Sequence, residues 1–332
     1  MLAPGRRADE SGTAMTLRPI LFSVIVSLAL APAAHAIVTR SETKEFEVKP
    51  GCTLRFDTYR GSIEIQPWAE NRIRIELQLE YATDKEETAD RLRKNLHLDQ
   101  KLKDGDVVFR ATNPSETGVN FTWSDHTKVD IAYKISVPAA CNLDVLTRNG
   151  ATLVGNLRGR VKVRGDQGPI SLRQIDGTVD ARTETGDIVL SRCTGTATLR
   201  TLRGNVRAGL IAGYAKLTTD SGEIEIQSAR GGIEAICAAG DVSAGFPKDT
   251  AAAAKLLAEG GNVNVKLDPE ANVNIHASTT WGKVRTAMPF TVEQGEIGGM
   301  LFIAKLNHGG PKLTLRAEGG HVKIEPGTTF FD

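Results

Sequence analysis

Glycine recurs every nine residues through the middle of this 332-residue chain. A short stretch of alternating apolar and polar residues follows these glycines, as in Gly168-Pro-Ile-Ser-Leu. Alternation with a period of two predicts β-strands, and glycine at each bend supplies backbone angles that other residues resist. The eleven glycines that share one phase are Gly150, Gly159, Gly168, Gly177, Gly186, Gly195, Gly204, Gly213, Gly222, Gly231 and Gly240.

The apolar residues repeat with a period of eighteen, twice the glycine interval. The two clearest inward columns are Ile170, Ile188, Val206, Ile224, Val242 and Val161, Val179, Ala197, Ala215, Ile233. This pattern predicts an all-β fold, a parallel β-helix (solenoid) in which each turn of about eighteen residues contributes two short strands. Successive turns would stack at about 4.8 Å around a narrow core, with contacts only between neighbouring turns.

The pattern also predicts how the chain is divided. Residues 37–136 are expected to form an N-terminal turn and a cap that contains one helix. A cap is expected because the uncovered strand edges at the end of a β-solenoid can pair with other molecules and allow fibres to grow. Residues 137–332 are expected to form the solenoid, with an insertion near residues 246–260 and the pair Phe330-Phe331 plugging the far end.

Two short helices are predicted within this framework. Thr83-Asp-Lys-Glu86 has the capping-box pattern, and Ala89, Leu92 and Leu96 would then share one helical face. The alanine-rich stretch Ala251–Glu259 ends at a glycine pair, which favours a second short helix inside the insertion.

The first 36 residues have the pattern of a leader and a signal peptide. Arg18 supplies a positive start, Ile20–Leu30 is an uncharged apolar run, and Ala34-His35-Ala36 fits the cleavage rule, with cleavage after Ala36. An uncleaved membrane anchor is the alternative, but the run is shorter than the roughly 20 residues that a span needs. We therefore expect a bacterial periplasmic or secreted protein with no membrane span in its mature form, whether translation starts at Met1 or Met15.

The charge balance and the missing motifs exclude several classes of protein. The chain has 41 Lys and Arg residues against 40 Asp and Glu residues, which argues against nucleic acid as a partner bound by bulk charge. Nucleophile elbows, zincin helices, P-loops and Cys-x-x-Cys pairs are absent from the sequence. The sequence therefore predicts no catalytic residue, no metal site and no cofactor.

Four cysteines fall at positions that the repeat explains. Cys193 occupies a small apolar core position, and Cys237 ends a column of threonines. Cys52 and Cys141 both lie in the glycine phase, so adjacent turns would place their Cα atoms about 4.8 Å apart, inside the disulfide range of roughly 4.4–6.8 Å. We therefore predict a Cys52–Cys141 disulfide, which an exported protein would permit.

Two outward columns carry charge. One contains Arg164, Arg182 and Arg200, and it is the predicted binding surface, for an acidic glycan or carboxylate; the alternative is a ladder neutralised by neighbouring aspartates. The other contains turn residues Asp187, Glu223 and Asp241, which suggest either a calcium site or solvated turns, although the Gly-Gly-x-Gly-x-Asp pattern of the calcium β-roll is missing.

Several segments resemble a bacterial family of exported β-strand-repeat proteins of unknown function that are labelled putative adhesins. The resemblance covers roughly residues 44–326 and depends on Phe46-Glu-Val48, Gly51-Cys-Thr-Leu54, Gly61-Ser-Ile-Glu-Ile65 before Trp68, Val137-Pro138 and the Gly-Asp-Ile turns. It implies a single-stranded, right-handed β-helix and brings no catalytic residues. The adhesin label is an analogy at the level of the fold.

Three functions remain open at this point. The leading hypothesis is a non-catalytic, adhesin-like surface or envelope scaffold that binds an envelope glycan, a surface polymer or an envelope protein along an extended face. The alternatives are an envelope regulatory or assembly protein that acts by protein contact, and a β-helix carbohydrate-active enzyme. The enzyme would need carboxylates clustered by the loops of residues 66–136 or 245–300.

Overall fold

The computed structural model of the protein describes residues 37–103, 105–114 and 129–327. The predicted leader, the signal peptide with its cleavage site at Ala36 and the Phe330-Phe331 plug all lie outside these residues. Among the described residues, the structure contains no helix that could span a lipid bilayer.

The described residues form strands almost throughout, with one α-helix. The N-terminal elements are β1 (Val38–Glu47), β2 (Cys52–Thr58), β3 (Ser62–Trp68), β4 (Arg72–Tyr81), α1 (Glu86–Lys94), β5 (His97–Lys103), β6 (Asp106–Thr112), β7 (Val129–Pro138) and β8 (Cys141–Asn149). The regular repeat contains β9 (Thr152–Val154), β10 (Leu157–Arg158), β11 (Val161–Gln167), β12 (Ile170–Asp176), β13 (Val179–Thr185), β14 (Ile188–Cys193), β15 (Ala197–Arg203), β16 (Val206–Ile211), β17 (Ala215–Ser221), β18 (Ile224–Ala229), β19 (Ile233–Ala239) and β20 (Val242–Phe246). The C-terminal elements are β21 (Ala254–Ala258), β22 (Val263–Leu267), β23 (Val273–Thr279), β24 (Val284–Thr286), β25 (Thr291–Gly295), β26 (Leu301–Leu306), β27 (Lys312–Ala317) and β28 (Val322–Pro326).

These strands make two long sheets that share one core. The first sheet has the order β1-β4-β7-β3-β9-β12-β14-β16-β18-β20-β22-β28-β24, with β10 also paired to β12. The second has the order β25-β26-β23-β27-β21-β19-β17-β15-β13-β11-β8-β2-β6-β5. In the regular repeat the chain alternates between the sheets, and every pairing there is parallel. The prediction of an all-β fold with stacked parallel strands is confirmed.

The register of the parallel pairs matches the apolar columns. Val161 pairs with Val179 and Val179 with Ala197, so partners in this stack are eighteen residues apart. Residues of both inward columns are buried, with exposed fractions of 3% or less. We call one strand of each sheet and the turn that joins them a rung. Each rung buries its apolar side chains only against its neighbours, as a repeat protein requires.

The glycine columns follow from the close approach of successive rungs. Gly186 has φ +137°, and a Cβ atom at this position would lie 2.4 Å from the carbonyl oxygen of Gly168. The same contact recurs one rung later, where a Cβ on Gly204 would lie 2.2 Å from the Gly186 oxygen. Both the backbone angle and the lack of space therefore exclude any side chain.

A column of threonines completes the hydrogen bonding at this bend. The hydroxyl of Thr201 donates to the carbonyl oxygen of Gly186 at 3.0 Å, and the hydroxyl of Thr219 donates to that of Gly204 at 2.9 Å. Cys237 takes the next threonine position, and its Sγ lies 3.0 Å from the Gly222 carbonyl oxygen. Burial raises the pKa of the Cys237 thiol to about 11, which fits a structural role and not a reactive one.

The predicted N-terminal helix is confirmed, but its cap differs from the prediction. Helix α1 begins at Glu86 with Lys85 at the N-cap, and no side chain caps it. The Thr83 hydroxyl instead accepts a hydrogen bond from the Lys85 amide, a local turn that replaces the capping box. Ala89 and Leu92 are buried as expected.

The second predicted helix is wrong, because Ala254–Ala258 is strand β21. It pairs with β19 and β27, and Leu256 is fully buried in the column of Ala235. A short alanine-rich helix is marginal on its own, whereas a strand here continues both the ladder and the core. Partners such as Ile233 and Ala254 are twenty-one residues apart, so the insertion adds three residues, which fall in the turn before β21.

At each end of the stack, two rungs stand in the reverse of their order along the chain, so the chain passes over one rung position and a different segment occupies it. The rung β2–β3 lies between β6–β7 and β8–β9, and the rung β27–β28 lies between β21–β22 and β23–β24. Antiparallel strands then cover the ends, with β4 and β1 on the first sheet, β5 on the second, and β26 and β25 at the far end of the second. Such strands limit the edges available for association.

The glycine columns generate the first prediction. Gly186→Val is expected to destabilise the stack, because valine must adopt a positive φ and overlap the Gly168 carbonyl. The backbone strain alone is worth about 1–3 kcal/mol. Thermal unfolding followed by circular dichroism measures the effect as a fall in melting temperature.

Gly165→Ala is the matched control for this variant. Gly165 interrupts the threonine column, its backbone is not left-handed, and its new Cβ would meet the Thr183 hydroxyl at an ordinary 3.5 Å. Its melting temperature should stay close to that of the wild type. An unchanged melting temperature for Gly186→Val would contradict the role assigned to the glycine columns.

Candidate binding groove

The predicted arginine column lies on the second sheet, where Arg164, Arg182 and Arg200 are register partners on β11, β13 and β15. Arg164 forms an ion pair with Asp144 at 3.3 Å, and Arg182 forms one with Asp180 at 2.8 Å. The structure therefore brings the three arginines together, but two of them already have carboxylate partners. This arrangement matches the alternative of a ladder neutralised by aspartates.

The acidic turn column performs a structural task. The Asp187 carboxylate accepts a hydrogen bond from the backbone N–H of Asn205, and the side-chain oxygen of Asn205 accepts one from the backbone N–H of Glu223, both at 2.8 Å. Asp241 accepts from the Asn262 amide in the same way. The side chains of Asp187, Asn205 and Asp241 thus each satisfy a backbone donor of the following rung. Among the described residues, no group of three or more His, Cys, Asp or Glu could hold a metal ion.

Cys52 and Cys141 are register partners on β2 and β8, and both are buried. Their Sγ atoms lie 3.6 Å apart as thiols. The hydrogen bond with Cys52 and burial together raise the pKa of Cys141. The disulfide therefore stays a prediction, with the two cysteines in the adjacent rungs that it needs.

A groove runs along one corner of the repeat, on the first sheet. It begins as a cavity of about 350 Å³ beside β10 and β12 and continues as one of about 130 Å³ beside β14, β16 and β18. Arg192 and Thr194 line both parts, which makes the groove continuous. We define this corner groove as residues 156–158, 174–176, 192–194, 210–212 and 228–230.

The corner exists because the alternation of strand residues breaks at one place in each rung. Two consecutive residues, Arg173 and Gln174, point outward on β12, and Ile175 then returns to the core. The same interruption precedes Cys193 on β14. Buried residues of this column form the apolar floor of the groove, and Leu210 adds an apolar side chain that is 45% exposed.

The walls of the groove carry three exposed arginines, Arg158, Arg192 and Arg230. Among the described residues none of them forms an ion pair or a side-chain hydrogen bond, unlike Arg164 and Arg182 on the opposite sheet. Of the described residues that line the groove, one is a carboxylate, Asp176, and it accepts a hydrogen bond from the Thr194 hydroxyl at 2.7 Å. The groove therefore offers an apolar floor between unpaired cations.

Sequence reasoning missed these three arginines because they do not share one column. Arg192 lies in the column of Gln174 and Leu210, whereas Arg158 and Arg230 lie in the adjacent column of Asp176. The intervals between them are 34 and 38 residues, each two residues away from a double repeat. A search for arginines at twice the period, with a tolerance of two residues either way, would have found them.

Comparison with known proteins gives a family and a set of distant structures. A family model described as Toastrack DUF4097 matches residues 53–325. No curated protein matches the chain. A solved structure from Bacteroides fragilis, described as a putative adhesin, is 13% identical, covers 86% of this chain and 97% of its own, and has a TM-score of 0.40. Another putative adhesin, from Parabacteroides distasonis, is 9% identical with the same coverage and a TM-score of 0.42. A structure described as a putative lipid binding protein from Parabacteroides distasonis is 12% identical, covers 86% and 96%, and has a TM-score of 0.33.

The cysteine geometry generates a prediction for the oxidised protein. With oxidised glutathione as the oxidant, the Cys52 and Cys141 thiols are expected to form one disulfide while two glutathione thiols are released. Because the bond would close a long loop, it should stabilise the fold by about 2–4 kcal/mol. Thiol titration of the unfolded, non-reduced protein should find two free thiols, those of Cys193 and Cys237.

The double variant Cys52→Ser/Cys141→Ser is the control for this titration. It should keep its two remaining thiols under the same oxidant and show no gain in melting temperature. Four free thiols in the oxidised wild-type protein would contradict the predicted bridge.

Proposed function

The chain belongs to the Toastrack DUF4097 family, and from this premise we propose that it is a non-catalytic scaffold that binds an extended ligand along the corner groove. One observation supports this proposal above all: the groove is continuous across five rungs and places unpaired arginines over an apolar floor. Several charged side chains elsewhere in the repeat form ion pairs, for example Lys216 with Glu234 and Arg207 with Glu225.

A rigid stack suits a ligand that is itself long and repetitive. Each rung is fixed to its neighbours by parallel hydrogen bonding and by buried side chains, so the groove walls keep a constant spacing. A preformed groove of this kind avoids the free-energy cost of ordering loops on binding. We therefore propose a polymer that lies parallel to the stack axis as the ligand.

The lining of the groove favours binding over catalysis. Hydrolysis of a glycosidic bond uses two carboxyl groups on opposite sides of that bond. Asp176 is the single carboxylate among the described residues that line the groove, and the Thr194 hydroxyl already donates to it. We accordingly propose an adhesin-like role in the envelope or outside the cell, which also rests on the signal peptide expected in residues 1–36.

The proposal includes a right-handed coil with about eighteen residues per turn. The eighteen-residue register of the regular rungs supports this number. The connection between two parallel strands of one sheet is right-handed in about 98% of cases, because of the twist of the strands.

A second candidate function is contact with another envelope protein. It is favoured by one end of the stack, where Trp281 is 84% exposed and Ile297 and Met300 are more than half exposed. The Thr279 amide donates to the Met300 carbonyl, so these side chains belong to adjoining turns. Exposed apolar groups of this kind are typical of protein contact sites.

Native electrophoresis of the mature protein, residues 37–332, through gels that contain polysaccharides tests the proposed scaffold. Retardation of the wild-type protein is expected in at least one gel. Ala212→Trp should weaken it at least about tenfold in apparent affinity, since Ala212 lines the narrow part of the groove and an indole would fill it.

Thr218→Trp is the matched control, since Thr218 follows Arg200 in the outward column of the second sheet, away from the groove. It should leave the retardation unchanged. Free migration in every gel, or retardation that Ala212→Trp does not affect, would overturn the proposed binding site. Cleared zones after staining for polymer would overturn the non-catalytic role.

A further inference from the structure

We infer that the corner groove binds a linear acidic polysaccharide, through carboxylate groups that recur at the spacing of its arginines. This inference rests on the proposed function and adds the chemical class of the ligand. It depends on three features of the groove: the position of the cations along the axis, the polar and apolar groups between them, and the place of Asp176.

The three arginines lie on every second rung. Arg158 is on the first rung of the groove, since it pairs with Asp176 of the second. Arg192 is on the third rung, since it pairs with Gln174 of the second. Arg230 is on the fifth, because its amide bonds to the Ile211 carbonyl of the fourth. With a strand spacing of about 4.8 Å, neighbouring guanidinium groups are anchored roughly 9–10 Å apart along the axis.

This spacing fits the repeat of an acidic polysaccharide better than that of a nucleic acid. It is comparable to the length of a disaccharide unit, so an extended chain with one acidic group per disaccharide would meet an arginine at every repeat. In duplex DNA the phosphates of one strand recur about every 3.4 Å along the axis, a much denser pattern. Planar guanidinium groups also match carboxylate and sulfate oxygens in a two-pronged geometry.

The surface between the arginines fits a sugar ring. The exposed side chain of Leu210 provides apolar area against which the C–H face of a ring can pack. Gln174, Ser228 and the Thr194 hydroxyl line the same groove and can hydrogen-bond with sugar hydroxyls.

Asp176 opposes an acidic ligand and therefore provides an internal test. Its carboxylate lies on the second rung, between Arg158 and Arg192, and it is exposed. Like charges weaken binding, so removal of this charge should strengthen binding of an acidic chain and leave a neutral chain unaffected. Asn at this position still accepts the hydrogen bond from Thr194 through its side-chain oxygen.

The experiment is affinity electrophoresis of the mature protein in gels of polygalacturonate, alginate and hyaluronan. Each polymer is used in its carboxylate form and with its carboxyl groups methyl-esterified, which keeps the backbone and removes the charge. We expect retardation by the carboxylate form of at least one polymer, weaker retardation by its ester, and a loss of affinity as salt is raised.

The variants locate the charge effect. The triple variant Arg158→Gln/Arg192→Gln/Arg230→Gln should weaken binding of the acidic polymer roughly tenfold or more, at about 2- to 5-fold for each exposed cation. Arg164→Gln/Arg182→Gln/Arg200→Gln removes the same charge from the opposite sheet and should have little effect. Asp176→Asn should strengthen binding of the acidic polymer about 2- to 5-fold, with no change for the ester.

The failures of the two proposals can be told apart. One outcome is that a polymer and its ester bind equally, and that this binding is lost in Ala212→Trp but kept in the groove triple variant. That outcome would overturn the acidic class of ligand while supporting the groove as a binding site. Equal losses in the two triple variants would overturn the inference in favour of general charge attraction. Free migration in these gels and in gels of neutral polysaccharides would overturn both the inference and the proposed function.

Discussion

The close approach of backbone to backbone at the bends is the constraint on which the whole stack depends. Glycine is the one residue that fits where a Cβ would lie 2.4 Å or less from the carbonyl of the previous rung, as at Gly186 and Gly204. That approach permits the parallel hydrogen bonds between rungs and puts the threonine hydroxyls within reach of the glycine carbonyls. The narrow core, the regular register and the straight corner groove all follow from it.

The repeat is predictable from sequence because one physical rule is applied many times. The glycine phase, the buried columns and the adjacent positions of Cys52 and Cys141 could all be read from the period. The helix predicted at Ala251–Glu259 was wrong because the prediction used local composition alone. It did not take into account the neighbouring strands β19 and β27, whose edges pair with β21. The skipped rungs were not predictable, since pairings such as that of β22 with β28 join segments that are 59 residues apart.

The surface was harder to predict than the core. The exact eighteen-residue repeat predicted a binding surface at Arg164, Arg182 and Arg200, and two of these arginines form ion pairs with aspartates. The arginines of the corner groove alternate between two columns and are brought into line only by the bend after residues such as Gln174. Their lack of partners is a property of three-dimensional placement, so a sequence pattern could not reveal it. Periodicity therefore predicts which residues pack in the core, whereas unpaired charged side chains can be identified only in the folded structure.

The skipped rung near the C-terminus has a consequence for how the protein is made. A chain that is synthesised or translocated from its N-terminus delivers β23 and β24 before β27 and β28, yet the later pair lies inside the earlier one. The space next to β21 and β22 can be closed only when residues 312–326 have arrived. The regular rungs can form as they emerge, but the distal end becomes complete only after β28 has emerged, so a chain terminated before β27 would lack an interior layer and not merely a tip.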